Sequence, residues 1–124
     1  MKLLIVEDNS VTAETLGECL RLMGHESEWA ADGEAALIKM DAADGRFGAV
    51  LLDLYLPGGM DGLEVARRVR TRWAGVPLVM TTAAADWVVD EKRPEIESLG
   101  RAALMRKPYS VDELLKVAES LTQT

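Results

Sequence analysis

Short apolar runs alternate along the chain with longer stretches in which apolar residues recur at helical spacing. This alternation is typical of repeated βα units around a parallel sheet. It predicts an α/β fold with five strands and five helices, in which the first, third and fourth strands are the most buried and the second and fifth are edges. The predicted strands are Leu3–Val6, Glu26–Ala30, Ala49–Leu52, Pro77–Thr81 and Ala102–Arg106.

Most of the helices have clear start signals. The first has Asn9 or Ser10 as its N-cap, and Gly24 ends it. The fifth begins with a capping box, Ser110 to Glu113. The predicted positions are Ser10–Met23 for the first helix, Asp32 to Met40 for the second, a start at Asp61-Gly62 for the third, and a start at Ser110 for the fifth.

The third helix combines an apolar stripe with a basic face. The stripe repeats at helical spacing, so we expect it to pack against the sheet. The arginines fill the remaining positions, and we predict that they form a solvated face. The stripe consists of Leu63, Ala66, Val69 and Trp73, and the arginines are Arg67, Arg68, Arg70 and Arg72.

The fourth helix has the weakest signals. Between Ala83 and Leu99 the chain carries small residues, an apolar triplet, a charge run and Pro94. Because proline is tolerated in the first turn of a helix and not in its interior, we predict a long loop and then a short helix from about Pro94 to Leu99, ended by Gly100. The triplet at residues 87–89 is either a patch for a partner or a small cluster under the loop, and the sequence leaves both open.

Length and composition predict a single domain over residues 1–124, with 48% hydrophobic residues and a net charge of −7. That charge opposes direct binding to nucleic acid. Because the sequence has no long apolar run and Met1-Lys2 leads directly into a strand, we expect a cytoplasmic protein without membrane association. We expect the single cysteine, Cys19, to pack within the first helix, and the single histidine, His25, to lie at the surface.

Polar residues follow four of the predicted strands. In a doubly wound parallel sheet, functional groups gather at the carboxyl ends of the strands. Carboxylates, hydroxyls and an ammonium group are therefore expected at one sheet edge. The residues are Glu7 and Asp8 after the first strand, Asp53 after the third, Thr81 and Thr82 at the fourth, and Lys107 and Pro108 after the fifth.

The carboxylates predict a Mg²⁺ site, because clustered like charges need a cation and Mg²⁺ prefers oxygen ligands. We expect Asp8 and Asp53 to be direct ligands and Glu7 to bind through a water. Once the cluster is neutralised, an aspartate can act as nucleophile toward a phosphoryl group, and we assign that role to Asp53.

A transferred phosphoryl group is stabilised by fixed cationic and hydroxyl donors, and Lys107 and Thr82 fit these two roles. The strand period of two places Thr81 and Thr82 on opposite faces of the sheet. Spacing alone leaves open which of the two threonines points at Asp53.

The sequence resembles the receiver domain of bacterial two-component response regulators, of the chemotaxis-receiver type. The matching segments occur in the family's order along nearly the whole chain. They are Ile5 to Asp8, Leu52 to Pro57, Met60 to Gly62, Pro77 to Ala83, and Lys107-Pro108.

The resemblance implies a flavodoxin-like sheet order of 2-1-3-4-5 and a Mg²⁺ cofactor. It also implies a role for each matching position, and it favours Thr82 over Thr81. The implied roles are an acidic pair at Glu7 and Asp8, a phosphoacceptor at Asp53, a metal-binding backbone carbonyl at Tyr55, a switch hydroxyl at Thr82, a phosphate-sensing cation at Lys107, and a cis peptide before Pro108.

The sequence departs from the family pattern at three places, one of which is the segment between Thr82 and Gly100, longer than usual by a few residues. Leu104 stands where a typical receiver has an aromatic residue that moves when the switch hydroxyl engages phosphate. The leucine either reports on Thr82 through packing or is simply a core residue. The pair Gly58-Gly59 adds one residue to the loop after Asp53, and glycine there should loosen this loop.

Two variable positions beside the site, Tyr55 and Ala84, influence in this family how fast the acyl phosphate hydrolyses. Ala84 has no polar group to place a water, and Tyr55 is able to shield the phosphoryl group. We therefore predict a long-lived phosphoaspartate.

The leading functional hypothesis is a phosphorylatable switch, which catalyses only its own modification and is not a metabolic enzyme. The expected partners are a histidine kinase or phosphotransfer protein, a downstream target, and a second copy bound through the face from helix four to helix five. Because the sequence ends soon after the fifth helix, we expect no output domain.

Three other functions are weaker hypotheses. A phosphorylation-independent interaction module would keep the site without switching. A phosphatase of the haloacid dehalogenase kind would need a second aspartate where Tyr55 stands. A flavodoxin would need a phosphate-binding loop where Glu7 and Asp8 repel phosphate.

Overall fold

The computed structural model describes residues 1–122, which form a five-stranded parallel sheet in the order β2-β1-β3-β4-β5. The predicted flavodoxin-like order is confirmed. The predicted domain includes residues 123 and 124, which lie outside the described residues. The strands are β1 Lys2–Val6, β2 Glu26–Ala30, β3 Ala49–Asp53, β4 Leu78–Thr82 and β5 Ala102–Arg106. The helices are α1 Ser10–Leu22, α2 Gly33–Ala43, α3 Gly62–Arg72, α4 Asp86–Glu97 and α5 Val111–Ser120.

The core has two parts, one on each face of the sheet. One part combines β1, β3 and β4 with α1 and α5 and includes Leu3, Leu20 and Leu114. The other lies under α2, α3 and α4 and includes Leu4, Val69 and further residues of β3, β4 and β5. Because β1, β3 and β4 are covered on both faces, their residues are nearly all apolar. The prediction that β2 and β5 are edge strands is confirmed.

The helix starts follow the predicted caps. Asn9 is the N-cap of α1, and its side chain accepts a hydrogen bond of 3.0 Å from the backbone N–H of Thr12. Gly24 follows this helix with a φ of 88°, which favours glycine. Ser110 caps α5, and its hydroxyl accepts from the backbone N–H of Glu113. The second helix runs past the predicted Met40, to Ala43.

The prediction for the fourth helix is wrong. Helix α4 spans Asp86–Glu97 and holds Pro94 in its interior, so the predicted loop is helical instead. Burial explains the difference, because α4 places Val89 and Ile96 in the core on either side of the proline. Trp87 is 70% exposed while Val89 is buried, so the apolar triplet is divided between solvent and core.

The prediction of a fully solvated arginine face on α3 is wrong for Arg70. Its guanidinium is partly buried and donates hydrogen bonds of 2.7–3.2 Å to four backbone carbonyls. These carbonyls belong to the turn between α3 and β4 and to the start of β5, so one side chain joins three elements. The four acceptors are the carbonyls of Trp73, Ala74, Val76 and Arg101.

Cys19 is half-buried on α1 and is a free thiol. His25 is half-buried just before β2, with Nδ1 at 2.8 Å from the amino group of Met1. None of the helices in the described part of the chain has the length and apolar character needed to cross a membrane. The cytoplasmic location stays a prediction.

Candidate functional site

Three carboxylates meet at the carboxyl end of the sheet. Glu7 and Asp8 directly follow β1, and Asp53 is the last residue of the adjacent β3. One oxygen atom from each carboxylate lies within 4.8 Å of the others. Glu7 is buried, Asp53 is half-buried and Asp8 is exposed, so the cluster faces solvent on the Asp8 side. The expected convergence of these three side chains is present in the structure.

Lys107 brings a positive charge to the cluster. Its Nζ lies 3.0 Å from Oδ2 of Asp53 and 3.6 Å from Oε2 of Glu7. The backbone N–H of Lys107 donates to the carbonyl of Thr82 at 2.7 Å, which anchors the turn after β5 to the end of β4. The peptide bond between Lys107 and Pro108 is cis. The lysine is therefore held by both its backbone and its side chain.

Backbone groups fix the carboxylates further. Oε1 of Glu7 accepts from the N–H of Asn9 at 3.2 Å, and Oδ1 of Asp53 accepts from the N–H of Tyr55 at 3.3 Å. The residue after Asp53, Leu54, donates its N–H to the carbonyl of Thr81 at 2.8 Å. Asp53 thus projects from a peptide segment that is tied to β4.

The protonation of the site reflects both burial and charge. Burial raises the pKa of Glu7, and the charge of Asp53 adds to this, whereas the hydrogen bond from Asn9 and the charge of Lys107 oppose it. Burial alone would lower the pKa of Lys107, but its hydrogen bond to Asp53 and the charges of Asp53 and Glu7 outweigh burial and raise it. The lysine therefore stays charged, and the charged form of Glu7 is less favoured than that of a carboxylate in water.

The two threonines lie on opposite faces of the sheet, as the strand period predicts. Thr81 is in register with Asp53 and lines a small cavity together with Asp53 and Glu7. Thr82 is fully buried, and its hydroxyl oxygen accepts from the N–H of Ala84 at 3.1 Å. The hydroxyl proton of Thr82 is free to be donated elsewhere, because that contact uses only a lone pair.

Tyr109 is a site residue that the sequence interpretation missed. It lines the same cavity as Glu7 and Asp53. Burial raises the pKa of the Tyr109 phenol, with smaller contributions from the nearby charges. The only sequence signal was its position, directly after Lys107 and Pro108.

The remaining predicted positions surround the site at different depths. Leu104 is 3% exposed and belongs to the core under α2, α3 and α4, in register with Met80 of β4. The side chain of Tyr55 is exposed, and Ala84 is half-buried. Gly58 has a φ of 90°, so the first glycine of the added pair adopts a conformation that favours glycine.

The donor set fits a hard divalent cation. It consists only of carboxylate oxygens, one from each of Glu7, Asp8 and Asp53, close enough to share an ion. Mg²⁺ uses such oxygen ligands and completes its shell with waters and phosphate oxygens. The exposed side of the cluster leaves room for those additional ligands.

Comparison with known families decides the class of protein. A model of the response regulator receiver domain matches residues 3–119 of the chain. The chain belongs to this receiver domain family. The resemblance noted in the sequence is thereby confirmed, and the molecule is a signalling domain of two-component systems rather than a classical enzyme. Members of this family bind Mg²⁺ at an acidic pocket, which agrees with the cluster of carboxylates.

The receiver domain is similar to parts of longer regulators. It is 41% identical over 112 residues to the sensory transduction protein RegX3 of Mycobacterium tuberculosis. It is 32% identical over 123 residues to the transcriptional regulatory protein TcrA of the same species. These matches cover 90% and 99% of this chain and 46% of each relative. The chain therefore spans about half the length of the curated relatives it matches.

Solved receiver structures have the same fold. The chemotaxis protein CheY4 of Vibrio cholerae superposes with a TM-score of 0.82 at 30% identity, covering 97% of each chain. The response regulator TrrA of Thermotoga maritima, in complex with Mg(2+)-BeF, superposes with a TM-score of 0.79 at 29% identity, also covering 97% of each chain.

Proposed function

We propose that this receiver domain accepts a phosphoryl group on Asp53, in a Mg²⁺-dependent reaction, from a histidine kinase or a histidine phosphotransfer protein. The observation that carries the proposal is the position of Lys107 Nζ, 3.0 Å from Asp53 Oδ2, inside a cluster of three carboxylates. A lysine held in this way neutralises part of the charge on the acceptor before phosphate arrives.

In the proposed reaction, a carboxylate oxygen of Asp53 attacks phosphorus and forms an acyl phosphate. The bond between phosphorus and the donor's imidazole nitrogen breaks, and that nitrogen keeps the electron pair. Lys107 moves its hydrogen bond from the carboxylate to a phosphoryl oxygen, and the Thr82 hydroxyl donates a hydrogen bond to another phosphoryl oxygen. Fixed donors of this kind stabilise the charge that develops on the equatorial oxygens.

The metal ion, when bound, supplies a positive charge that neutralises the carboxylates and the incoming phosphoryl oxygens. We assign Asp8 and Asp53 as direct ligands, the Tyr55 backbone carbonyl as a further ligand, and Glu7 as a ligand through water. The exposure of Asp8 supports this division, because a direct ligand at the rim is reached from solvent, whereas Glu7 is buried.

The proposed output surface is the face formed by α4, β5 and α5, where a downstream target or a second copy of the domain binds. Two arginines connect β5 to α4 on this face. Arg93 donates to the carbonyl of Leu104 at 2.9 Å, while Arg106 pairs with Asp86 and donates to the carbonyl of Ala84 at 3.1 Å. A displacement of the segment after Thr82 would therefore be passed directly to α4.

The decisive experiment measures modification of Asp53. Wild-type protein is incubated with Mg²⁺ and a small phosphodonor, and the acyl phosphate is followed by intact-mass spectrometry. With the phosphodonor or with beryllofluoride, the structural response is followed by tryptophan fluorescence and oligomer size. We expect modification of wild type and of Asp90→Asn, an exposed aspartate on α4, but not of Asp53→Asn. Equal modification of Asp53→Asn, or none in wild type, would overturn the assignment.

The second candidate is a phosphorylation-independent interaction module. Its supporting observation is Leu104, which is buried in the core where the family pattern has a mobile aromatic residue. If Mg²⁺-dependent modification occurs while fluorescence and oligomer size stay constant, the domain stores or passes on phosphate without switching. That result would favour this candidate for the output step.

We further propose that the phosphoaspartate is long-lived. Ala84 supplies no polar side chain to orient an attacking water, and Tyr55 lies beside Asp53. Label on purified phosphoprotein should decay slowly without a phosphatase, and Ala84→Asn should speed the decay by providing a group that positions water. Rapid loss of label from wild type, or no acceleration in the variant, contradicts this prediction.

A further inference from the structure

Trp29 makes a specific contact with the acidic end of β1. Its indole Nε1–H donates a hydrogen bond of 2.7 Å to the backbone carbonyl of Glu7. This distance is at the short end of the range for N–H···O hydrogen bonds in proteins. Trp29 is on the edge strand β2, in register with Ile5, and is 39% exposed. Its ring therefore reaches along the sheet to the residue that begins the site.

The Glu7 carbonyl needs this partner because the strand ladder ends there. The N–H of Glu7 makes the last bond to β2, donating to the carbonyl of Ala30 at 3.1 Å. In a parallel sheet the N–H and C=O of one residue point toward the same neighbouring strand. Since β2 ends at Ala30, the ladder offers the Glu7 carbonyl no further N–H, and the indole takes that place.

The bonded oxygen belongs to the peptide group that joins Glu7 to Asp8. That group is planar, so fixing its oxygen fixes the direction in which the chain continues to Asp8. Asp8 is exposed and takes its position from its backbone, while Glu7 is buried beside Lys107. One indole thus contacts the peptide group that links two of the three carboxylates in the cluster.

From this geometry we infer that Trp29 is a positioning residue for the acidic pair and sets the affinity of the site for its divalent cation. The inference rests on the proposed function, since it assigns to Trp29 a role at the same metal-dependent site. Outer partners that orient metal ligands commonly affect affinity strongly. Loss of a single hydrogen bond to the backbone should weaken cation binding about 3- to 10-fold.

The test removes only the N–H group. In a parent protein carrying Trp73→Phe and Trp87→Phe, Trp29 is the one tryptophan left in the sequence. Supplying 3-benzothienylalanine instead of tryptophan then replaces the indole N–H with sulfur and keeps the ring shape. Trp29→Phe in the same parent is a second variant, and thermal unfolding of the metal-free proteins checks the fold.

Two measurements separate positioning from general stability. Mn²⁺ affinity is measured directly from the electron paramagnetic resonance signal of free ion, and the modification rate is measured across Mg²⁺ concentrations. We expect Mn²⁺ binding about 3- to 10-fold weaker than in the parent, with the modification rate restored at saturating Mg²⁺.

Each other outcome is informative. Unchanged Mn²⁺ affinity, or a rate loss that saturating Mg²⁺ does not restore, overturns the role of Trp29 while the proposed function stands. If the parent itself binds no more Mn²⁺ than the parent with Asp53→Asn, the proposed metal-dependent function fails, and the inference about Trp29 fails with it.

Discussion

At the scale of single residues, Glu7 is held at an energetic cost while the site lacks a cation. It is buried beside two other carboxylates, and Lys107 offsets this only in part because its ammonium lies closer to Asp53. The raised pKa of Glu7 reflects this balance. Binding sites often keep such strain because the ligand relieves it.

We predict that Glu7→Gln stabilises the metal-free protein at neutral pH by about 1 kcal/mol, the Coulomb energy of two like charges 4 Å apart in water. A carboxyl whose pKa is raised in the folded state contributes stability at pH values below its ordinary, unfolded-state pKa. This contribution is lost as the pH rises through the folded-state pKa. The variant and the wild type should therefore have the same free energy of unfolding below about pH 4.5. Above that pH, the advantage of the variant should grow. Chemical denaturation of both proteins from pH 4 to 8, with a chelator present to keep them metal-free, measures this difference in the free energy of unfolding.

The control for this prediction is Glu14→Gln, an exposed carboxylate on α1. It should change the free energy of unfolding by less than about 0.5 kcal/mol. If Glu7→Gln is less stable than wild type at neutral pH, then the contacts of Glu7 with Asn9 and Lys107 outweigh its burial and repulsion.

Gly62 fixes the distance between α3 and the segment that carries Asp53. A Cβ atom at this position would overlap the carbonyl oxygen of Asp53 and lie 2.7 Å from that of Leu54. Gly62→Ala should lower the free energy of unfolding by about 2–3 kcal/mol, because backbone atoms have little freedom to move away. Chemical denaturation of the variant measures this loss.

Gly59→Ala is the matched control, since an added Cβ there meets no atom within 4 Å. It should change stability by less than about 0.5 kcal/mol. Equal losses in both variants would show that loop flexibility, rather than close packing against Asp53, makes the glycine necessary.

At the scale of elements, α4 contains a proline that lowers its own stability. Pro94 has no N–H to donate to the carbonyl of Asp90, four residues earlier, and an interior proline costs about 3 kcal/mol. Burial of Val89 and Ile96 offsets this cost. Helix α4 should therefore be less stable locally than its neighbours, which suits its proposed role in the output surface.

Pro94→Ala should stabilise the protein by about 1–2 kcal/mol, which is less than the full helix penalty because proline also restricts the unfolded chain. Urea denaturation measures the gain, and hydrogen exchange in α4 should slow. Pro57→Ala, in the loop after β3, is the control and should instead lose up to about 1 kcal/mol. A loss in both variants would mean that Pro94 fits its helix without cost.

The sequence predicted helices and strands well wherever their formation depends on residues that are neighbours in the chain. The caps at Asn9 and Ser110 and the buried strands are of this kind. The prediction failed for α4 because the cost of Pro94 is outweighed by tertiary burial. It failed for Arg70 because the carbonyls it bonds come together only in the folded sheet.

The site followed the same rule. The sequence predicted that Glu7, Asp8, Asp53 and Lys107 would meet, because each follows a strand of one parallel sheet. It did not predict the contribution of Trp29, which lies inside a strand and reaches the site sideways across the strand pair. Such a contact depends on the register in which two strands pair, and this register cannot be determined from a single sequence.

At the scale of the whole molecule, ion pairs in the site link the ends of three strands. Glu7 extends β1, Asp53 ends β3, and Lys107 extends β5, with β4 joined to the last two by backbone hydrogen bonds. No short segment of the chain contains the complete site. A ligand that needs all three side chains should therefore bind the folded sheet and not the unfolded chain.

This dependence predicts a large stabilisation by a phosphate analogue. Mg²⁺ with beryllofluoride at 100 times its dissociation constant should raise the free energy of unfolding of wild type by about 2.7 kcal/mol. Asp53→Asn should gain only what Mg²⁺ alone provides, because in the proposed function the analogue binds at the Asp53 carboxylate. Urea denaturation with and without the ligands measures both. An equal gain in the two proteins would place the bound analogue away from Asp53, whereas a gain confined to wild type would make this one carboxylate the point through which phosphate stabilises the entire sheet.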